Sequence, residues 1–444
     1  MISNDSEKKI AAAVSIVKKL NSRGFSALFA GGYVRDRIMK GISAEIGDID
    51  IATNATPETI TKVFSHTIGV GEQFGVMVVI EGGIPFEVAT FRADVGITDG
   101  RHPGSVVFTD AKEDALRRDF TINGMFFDPL SEKIIDYVSG VDDINSGVIR
   151  SIGDPSLRFS EDYLRMLRAI RFAARFDFRI EDATWRALCE NASKIKLISP
   201  ERIFSEIDRM LCQKNSARSL QLLMDSGLLK EILPEVAALA GVEQPPEFHP
   251  EGDVFVHTRL ALDLMVEQPS SVLAWSVLLH DVGKPSTFVV SDRIRFNGHD
   301  RVGAAIARAV LRRLKASNAL IEGVDACIEN HMNFMNVTRM RLSTLKKFLS
   351  RPTIIDELDL HKADCQASHG DIQNYDFVKE KLSLMAEEVI KPAPLIGGRE
   401  LISLGLKPGP LFGEILNEIY DLQLDEKVST RDEALAVVRE RYLK

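Results

Sequence analysis

The sequence has little of what would place a protein in a membrane or outside the cell. No apolar run approaches the ~18 residues that a spanning helix needs. No cationic leader precedes a hydrophobic segment, so we expect neither secretion nor organelle import. The cysteines are far apart and follow neither a metal nor a disulfide spacing; they are Cys189, Cys212, Cys327 and Cys365. These absences predict a cytoplasmic protein with reduced thiols and no membrane partner.

Charge of one sign is not in large excess. A net charge of −9 over 444 residues excludes a protein that coats nucleic acid non-specifically, but it is compatible with a local basic track. The sequence shows no tandem repeat and no low-complexity tract. The chain is too long for one hydrophobic core, so we expect about two to four domains; the oligomeric state is left open.

The local patterns divide the chain into an N-terminal α/β part and a long helical part. Short β-rich runs such as "SALFAGG" and "PFEVATFR" lie before residue 150, and helical periodicity dominates from about 155. We therefore predict an α+β fold, with a mixed α/β sheet in the head followed by all-α modules. The predicted domains are the head (1–150), a helical neck (151–245), a helical body (246–385) and a helical tail (386–444).

The head contains a glycine turn followed by paired aspartates. In "LFAGGYVRD" a strand enters Gly31-Gly32, where backbone N–H groups can approach an anion closely. In "GDIDIAT" the aspartates Asp48 and Asp50 are two residues apart, so on a strand both would face one side, where a cation such as Mg²⁺ would relieve their repulsion. The alternative is a solvated acidic edge strand; against it, Ile49 and Ile51 would pack inward while the aspartates cluster.

Two further stretches add charged candidates to the head. "PFEVATFR" offers Glu87, either as a third carboxylate for the same site or as an ordinary edge glutamate. "RRDFTING" supplies Arg117, Arg118 and Asp119. Arginines suit triphosphate oxygens, and an aspartate can accept a hydrogen bond from a ribose hydroxyl.

"EDYLRMLRAIRFAARF" (161–176) predicts an amphipathic helix with a cationic wet face. At about 100° per residue, its arginines fall within an arc of about 120°; they are Arg165, Arg168, Arg171 and Arg175. One interpretation is a solvated surface on which Glu161 pairs with Arg165 at i,i+4. The other is a surface that holds something anionic.

Taken together, GG-x-V-R-D, D-x-D, R-R-D-F-T-x-N and E-D-x-x-R, in this order, resemble the class II tRNA nucleotidyltransferases. These are the CCA-adding family of the polymerase-β-like nucleotidyltransferases. "ISPERIFSEI" (198–207) and "GRELISLGLKPGPLFGEIL" in the tail resemble later parts of that family. The resemblance implies a polymerase-β-like head and template-independent addition of CCA to tRNA 3′ ends. The substrates would be CTP and ATP, with pyrophosphate released.

The resemblance also implies roles for individual residues. Asp48 and Asp50 would hold two catalytic Mg²⁺ ions, with Glu87 as a further candidate. Asp162 and Arg165 match the pair that reads the incoming base: the aspartate accepts from the exocyclic amine of C or A, whereas U and G leave it facing an unpaired acceptor. The implied nucleotide-binding set is Gly31, Gly32, Arg35, Arg118, Asp119, Asp162, Arg165, Arg168 and Arg171.

Two comparisons within the superfamily narrow the implied activity. Residues 92–108 resemble the flexible loop of CCA-adding and A-adding members, with Arg101 and Pro103 in the expected places and Ile97 where the family has an aromatic residue. This makes CC-only addition unlikely and leaves A-only addition as an alternative. Poly(A) polymerases carry a basic pair before the E-V-A-T strand, which "GVGEQFGVMVVI" lacks; a tRNA-specific enzyme is therefore favoured.

A second set of candidate ligands lies downstream. The series H…HD…H…H…D resembles the HD phosphohydrolase superfamily and comprises His257, His280, Asp281, His299, His331 and Asp364. The resemblance implies a divalent metal (Mg²⁺, Mn²⁺, Fe²⁺ or Ni²⁺), which imidazole and carboxylate ligands suit, held by His257, His280, Asp281 and Asp364. Phosphate-ester hydrolysis as the main activity is an alternative function, and a degenerate module that only holds tRNA is another.

The tail and the body each offer a candidate RNA contact. Lys407 lies in the Gly/Pro-rich turn "SLGLKPGPLFG" before a helix, where backbone amides could bind a tRNA phosphate. A plain helix–helix turn is the alternative. "RMRLSTLKKFLSRP" (339–352) is a basic amphipathic stretch that could line the same RNA track.

Overall fold

A computed structural model describes residues 4–41, 47–71, 75–97, 103–247, 249–385 and 390–443. The chain divides into two compact units, Met1–Pro234 and Glu235–Lys444. This division falls close to the boundary predicted at 245, and the finer division into four parts stays a prediction. Within the described ranges, no helix is both long and apolar enough to cross a membrane.

The first unit is built on a mixed seven-stranded sheet and a separate hairpin. The strands are β1 (Ala27–Ala30), β2 (Asp50–Thr53), β3 (Thr67–Gly71), β4 (Val76–Glu81), β5 (Ile84–Thr90), β6 (Arg92–Ile97), β7 (Pro103–Phe108), β8 (Phe126–Asp128) and β9 (Lys133–Ile135). The order of the strands in the sheet is β3-β4-β5-β2-β1-β8-β9. At its centre β2 pairs antiparallel with β1 and parallel with β5. The hairpin β6–β7 forms part of the predicted flexible loop, but Arg101 of that loop lies outside the described residues.

Alternation of buried and exposed residues along the central strands shows which side chains point into the core. Ile49 and Ile51 are buried, as predicted, and Phe86 and Val88 of β5 join the same core. Glu87, between Phe86 and Val88, therefore points to the other face, because successive strand residues alternate.

Helices surround the sheet and continue into the predicted neck. The helices of this unit are α1 (Asn4–Asn21), α2 (Gly32–Lys40), α3 (Pro57–Val63), α4 (Ala111–Leu116), α5 (Gly140–Asn145), α6 (Pro155–Glu161), α7 (Leu164–Phe176), α8 (Asp182–Asn191), α9 (Pro200–Leu211), α10 (Ser216–Asp225), α11 (Leu228–Ile232) and α12 (Pro234–Ala237), the last ending beyond the unit boundary. Short 3₁₀ helices span Thr121–Asn123 and Ala192–Leu197, and β10 (Val148–Ile149) pairs in parallel with β11 (Arg179–Ile180).

The helix predicted over 161–176 is interrupted. The helix α6 ends at Glu161 and α7 begins at Leu164, with Asp162 in an extended conformation between them. The Asp162 carboxylate accepts a hydrogen bond from the Leu164 backbone N–H at 3.1 Å, and such side-chain capping competes with continuation of a helix. The interruption displaces Asp162 from the helical face on which the arginines of α7 lie.

The second unit is helical, as predicted, apart from one short hairpin. Its helix α14 (Ser271–Leu279) is mostly apolar, and Leu273, Trp275 and Leu278 of this helix are fully or almost fully buried. Its elements are α13 (Val254–Asp263), α14 (Ser271–Leu279), α15 (Lys284–Thr287), β12 (Val289–Val290), β13 (Ile294–Arg295), α16 (His299–Arg313), α17 (Asn318–Asn330), a 3₁₀ helix (His331–Arg339), α18 (Leu342–Leu349), α19 (Ile354–Ala367), α20 (Gln373–Leu384), α21 (Gly398–Ser403), α22 (Pro410–Leu424) and α23 (Arg431–Tyr442).

Candidate functional site

A polar cleft of about 420 Å³ in the first unit collects most of the predicted nucleotide-binding residues. The sheet, α2, the segment after α4 and the start of α7 all contribute to it. Arg171, Asp48 and Glu87 are not among its lining residues, which are Gly31, Gly32, Arg35, Asp50, Arg117, Arg118, Asp119, Asn123, Asp162, Arg165, Arg168 and Phe172.

Gly31 brings the backbone close to a carboxylate and an arginine. It has a φ of 66°, which favours glycine, and it is the N-cap of α2. A Cβ atom on Gly31 would lie 3.3 Å from Asp50 Oδ2 and 3.8 Å from Arg118 Nη1. The glycine turn thus leaves room for a ligand between a helix N-terminus, a carboxylate and a guanidinium.

The predicted metal-binding carboxylates occupy different environments. Asp50 opens β2, and its pKa is raised by burial and by the charges of Glu87 and Asp48, against a lowering by Arg118. Asp48 precedes the strand and is exposed, accepting a hydrogen bond from Lys9 Nζ at 3.1 Å. The expectation that both aspartates lie on one strand is therefore corrected, because β2 begins only at Asp50. No set of three ligand atoms within 4.8 Å includes these carboxylates in the described ranges.

Arg117 and Arg118, which follow α4, both donate hydrogen bonds to the buried carboxylate of Asp114. Asp114 Oδ1 accepts hydrogen bonds from Arg117, and Asp114 Oδ2 accepts them from Arg118. The Arg118 guanidinium also lies over the Phe126 ring, 4.9 Å from its centroid. Burial raises the pKa of Asp114, but the charges of Arg118 and Arg117 leave it lowered overall.

Asp119 is bonded within the protein rather than free to meet a ribose. Its Oδ2 accepts from Arg168 Nε at 2.8 Å and Nη2 at 2.6 Å, and its Oδ1 accepts from the Phe120 backbone N–H and from Asn123 Nδ2. Asn123 Oδ1 in turn accepts a 2.7 Å hydrogen bond from buried Arg35. The chain Arg35–Asn123–Asp119–Arg168 thus joins the head to α7.

The predicted base-reading pair lies at the junction of α6 and α7. Asp162 Oδ2 accepts from Arg202 Nη2 of α9 at 2.6 Å, and Asp162 Oδ1 accepts from Arg202 Nη1 at 3.2 Å. Arg165 Nη1 donates to Glu161 Oε2 at 2.5 Å and to the Arg158 carbonyl at 3.0 Å. The i,i+4 pairing of Glu161 with Arg165 is confirmed, and Arg165 also lines the cleft; binding of an anion by this surface stays a prediction.

The cationic face of α7 is not uniformly solvated, which corrects the prediction. Arg171 is buried and donates from Nε to Glu206 Oε2 of α9 at 2.6 Å. Arg175 is exposed and lies over the Phe176 ring. Arg171 therefore lies on the inner side of the helix, paired with α9, and it does not line the cleft.

Two residues that position this cleft were missed from the sequence. Asp114 precedes Arg117 and Arg118 by three and four residues, which is the spacing for ion pairs on one helix face. Arg202 lies in "ISPERIFSEI", but only the three-dimensional structure reveals that it contacts Asp162. The first could have been found from spacing, whereas the second is a contact across forty positions that no local pattern encodes.

Comparisons with known proteins agree with this geometry. Residues 27–150 match the "Poly A polymerase head domain", residues 177–239 the "Probable RNA and SrmB-binding site of polymerase A", and residues 301–438 domain 2 of the tRNA nucleotidyltransferases. The CCA-adding enzyme of Lactobacillus helveticus is 31% identical over 97% of this chain and 96% of its own length. That of Limosilactobacillus reuteri is 32% identical over 91% of this chain and 90% of its own.

The chain belongs to the CCA-adding enzyme family. It is a tRNA nucleotidyltransferase, and the sequence resemblance is confirmed. The crystal structure of the Bacillus stearothermophilus CCA-adding enzyme in complex with CTP superposes with a TM-score of 0.75 at 27% identity, covering 98% of this chain and 97% of that one. The Thermotoga maritima CCA-adding enzyme complexed with tRNA shares the fold, with a TM-score of 0.59 at 21% identity, covering 96% of this chain and 93% of that one.

The second unit of this CCA-adding family member brings the HD-like residues together in two groups. Ligand atoms of His257, His280 and Asp364 form one group within 4.8 Å, and those of Asp281, His299 and His331 form the other. The two oxygens of Asp281 face both groups: Oδ2 lies 3.2 Å from His280 Nε2, and Oδ1 lies 3.7 Å from His299 Nε2. Asp281, a member of the second group, therefore also contacts the first group through His280.

The four histidines are oriented alike. His280, His299 and His331 place Nδ1 at 2.6–2.9 Å from a backbone carbonyl, and His257 places Nδ1 at 2.7 Å from Glu251 Oε1. A carbonyl cannot donate, so Nδ1 of His280, His299 and His331 carries a proton, and the Nε2 atoms of all four histidines face inward. The Nε2 atoms nevertheless lie as close as 3.3 Å (His257–His280) and 3.1 Å (His299–His331).

The pKa values of two of these imidazoles shift in opposite directions. Burial lowers the pKa of His257, but hydrogen bonds to Asp364 and Glu251 raise it overall to about 9. Burial, with the charges of His280 and His299, lowers the pKa of His331 to about 4. A proton on His257 thus occupies a position that suits a cation.

The predicted RNA contacts of the second unit have separate outcomes. Lys407 is exposed in the turn before α22 and stays a candidate contact. In the basic stretch, Arg341 and Lys347 pair with Asp421, and buried Lys346 pairs with Glu426 at 2.9 Å. These cations contact α22 and the turn that follows it, so part of the stretch packs against the tail, and its contact with RNA stays a prediction.

Proposed function

We propose that this chain completes the 3′-terminal CCA of tRNA from CTP and ATP without a nucleic-acid template, releasing pyrophosphate at each addition. The observation that supports it best is the cleft that joins Asp50 and the Gly31–Gly32 turn to the Asp162–Arg165 pair. Full CCA addition is favoured over addition of A alone because the relatives matched over nearly the whole chain are CCA-adding enzymes.

The carboxylates of the head fit the divalent cation that the family implies. Burial, together with the charges of Glu87 and Asp48, raises the pKa of Asp50 and disfavours its ionised form. A nearby cation would relieve this repulsion, and oxygen ligands suit Mg²⁺. Asp48 and Asp50 would hold it, with Glu87 close by. When bound, it would supply activation of the tRNA 3′-hydroxyl and neutralisation of charge on the phosphates.

The protein's own groups bind and orient the nucleotide. Backbone N–H groups at Gly31–Gly32 and the guanidinium of Arg118 face the position of the triphosphate. Arg35 and Arg168, joined through Asn123 and Asp119, fix the orientation of α7 against the head. Positioning and charge stabilisation supply the catalysis, because phosphoryl transfer asks for little covalent chemistry from the protein.

Base choice follows from the acceptor character of Asp162. The Asp162 carboxylate accepts hydrogen bonds from Arg202 and offers its remaining lone pairs to a donor. The amines of C and A supply that donor, whereas the carbonyls of U and G would place an acceptor against the oxygens of Asp162, which is how polar sites reject a wrong substrate strongly. Arg165, held by Glu161, donates to the ring acceptor next to the amine.

The proposal is tested with three tRNA substrates that end at the discriminator base, at C and at CC. Each is incubated with CTP, ATP or both in the presence of Mg²⁺, and the 3′ ends are sequenced. CCA addition predicts that CTP extends the first two substrates to CC and that ATP then adds a single A. Extension of only the CC-ending tRNA would establish A-only addition instead.

We propose a second, metal-dependent activity for the second unit, hydrolysis of phosphate esters. The observation that favours it is the 3.1 Å approach of the His299 and His331 Nε2 atoms beside Asp281, an arrangement that a divalent cation between them would stabilise. The fit is therefore good for divalent ions held by His257, His280, Asp281 and Asp364, joined by His299 and His331. Bound ions there would supply Lewis-acid activation of water.

This second activity is measured with p-nitrophenyl phosphate and bis(p-nitrophenyl) phosphate in Mn²⁺, Ni²⁺ or Mg²⁺. We expect hydrolysis by the full chain, its loss in Asp281→Ala, and its retention in Asp50→Asn, because the two carboxylates lie in different units. Absence of both metal binding and hydrolysis in the full chain would reduce the second unit to a structural module.

A further inference from the structure

Asp114 contacts two arginines that line the nucleotide cleft, Arg117 and Arg118, from the side away from the cleft. It is on α4, its side chain is only 2% exposed, and it is not among the residues that line the cleft, whereas Arg117 and Arg118 are. No part of the sequence resemblance or of the proposed reaction assigns it a role. Its contacts nevertheless point to one.

The carboxylate divides its two oxygens between the two arginines. Oδ1 accepts from Arg117 Nε at 3.0 Å and Nη2 at 2.7 Å, and Oδ2 accepts from Arg118 Nε at 3.1 Å and Nη2 at 3.0 Å. Oδ1 also accepts from the backbone N–H of Arg92, the first residue of β6, at 3.2 Å. One buried charge is thus bonded by two guanidinium groups and by the base of the hairpin.

This bonding determines which edge of Arg118 faces the cleft. Nε and Nη2 are used by Asp114, so Nη1 is the nitrogen that meets the Asn123 carbonyl at 3.3 Å and the space beside Gly31. A free arginine side chain samples many rotamers and loses that freedom when it binds a phosphate, whereas one held by two hydrogen bonds to a buried carboxylate oxygen has already lost it. We infer that Asp114 is a positioning residue for nucleotide binding, acting through Arg117 and Arg118 on the triphosphate.

The negative charge of Asp114 also weakens the positive potential in the cleft, which opposes this effect. Two observations decide between them. Asp114 lies on the far side of the guanidinium groups from the cleft, and two cations surround the single anion, so the net charge of the trio stays positive. Without Asp114 the arginines would keep their charge but lose their fixed direction.

The inference rests on the proposed contact of Arg118 with the triphosphate. It predicts that Asp114→Asn raises KM for both CTP and ATP and the inhibition constant of pyrophosphate by about tenfold. We expect kcat to change less than threefold and the choice between C, A, U and G to stay as in the unchanged protein. Asp110→Asn is the matched control, because Asp110 caps the same helix through the Glu113 N–H without contacting an arginine of the cleft.

Three outcomes separate the possibilities. If Arg118→Gln leaves KM and pyrophosphate inhibition unchanged, the proposed contact itself is wrong. If Arg118→Gln weakens both and Asp114→Asn does not, or Asp110→Asn weakens them equally, the positioning role is overturned. If circular dichroism shows that Asp114→Asn does not fold, Asp114→Glu is tested instead, because it keeps the buried charge on a side chain one methylene longer. A raised KM with an unchanged melting temperature then supports the inference. An unchanged KM overturns it.

Discussion

Arg202 donates hydrogen bonds from both terminal nitrogens to Asp162, from Nη1 to Oδ1 at 3.2 Å and from Nη2 to Oδ2 at 2.6 Å. The pair joins α9 to the junction between α6 and α7, where the backbone at Asp162 is extended. An arginine that donates to both oxygens of a carboxylate fixes the direction of that carboxylate. Base reading by Asp162 would therefore depend on a residue that need not touch the base.

Removing this support should relax base choice before it stops catalysis. We expect Arg202→Gln to reduce discrimination of C and A against U and G by about tenfold or more, since a hydrogen bond to a charged group is lost. Single-nucleotide incorporation with each of the four NTPs measures this. Arg209→Gln, an exposed arginine on the same helix, is the control. Equal loss of all four incorporations would contradict the orienting role.

The head carboxylates should separate nucleotide transfer from tRNA binding. Asp50→Asn is expected to lower nucleotide incorporation by about 100- to 1,000-fold, because a carboxylate that would hold the divalent cation against the reacting phosphates is lost. A filter-binding assay should find tRNA affinity unchanged. Asp128→Asn, at the end of β8 in the same sheet, should leave both unchanged. Full activity of Asp50→Asn would remove Asp50 from the metal-binding set, and the same assay on Asp48→Ala tests its neighbour.

Local patterns were enough to predict most of this fold. Alternation placed Ile49 and Ile51 inside, and the order of the motifs predicted the head and the helical modules. The resemblance of His280, Asp281 and the later histidines to the HD phosphohydrolases predicted a cluster that the structure brings together. Such features are encoded within short segments, or as residue types that suit only one chemistry.

Contacts between distant segments were not predictable. The periodicity of α7 placed Arg171 on the cationic face, but it cannot show that Glu206 buries that arginine. Asp162 interrupts the helix through a capping bond that a count of 3.6 residues per turn does not detect. The partner of each charged residue is set by the fold, and it decides whether the charge faces a ligand or another part of the chain.

Metal binding by the second unit should release a proton near neutral pH. The pKa of His257 is raised to about 9, so His257 is protonated at pH 7 without metal, but a ligating imidazole must be neutral. Apparent Mn²⁺ affinity should then rise about tenfold per pH unit from 7 to 9 and level off above 9. Calorimetry in buffers of different ionisation enthalpy measures the proton. His257→Gln should weaken binding and abolish this release; unchanged release would place the proton elsewhere.

Two glycines of the second unit should respond in opposite directions to the same substitution. Gly283 follows the His280–Asp281 pair, and a Cβ there would lie 2.2 Å from the His299 carbonyl oxygen and 2.7 Å from the Gly303 nitrogen. Backbone atoms cannot yield as a flexible side chain does, so Gly283→Ala must push α16 away from the cluster. We expect it to destabilise the unit by about 3 kcal/mol and to weaken metal binding, because His299 begins α16.

Gly413 provides the matched control for that change. It lies within α22, is exposed, and a Cβ there would meet nothing within 4 Å. Gly413→Ala should therefore stabilise the protein by about 0.5–1 kcal/mol, because alanine loses less backbone entropy in a helix. Thermal and urea unfolding of both variants, with and without Mn²⁺, test the pair. If Gly283→Ala unfolds like Gly413→Ala and binds metal normally, close packing against α16 does not hold His299 in the cluster.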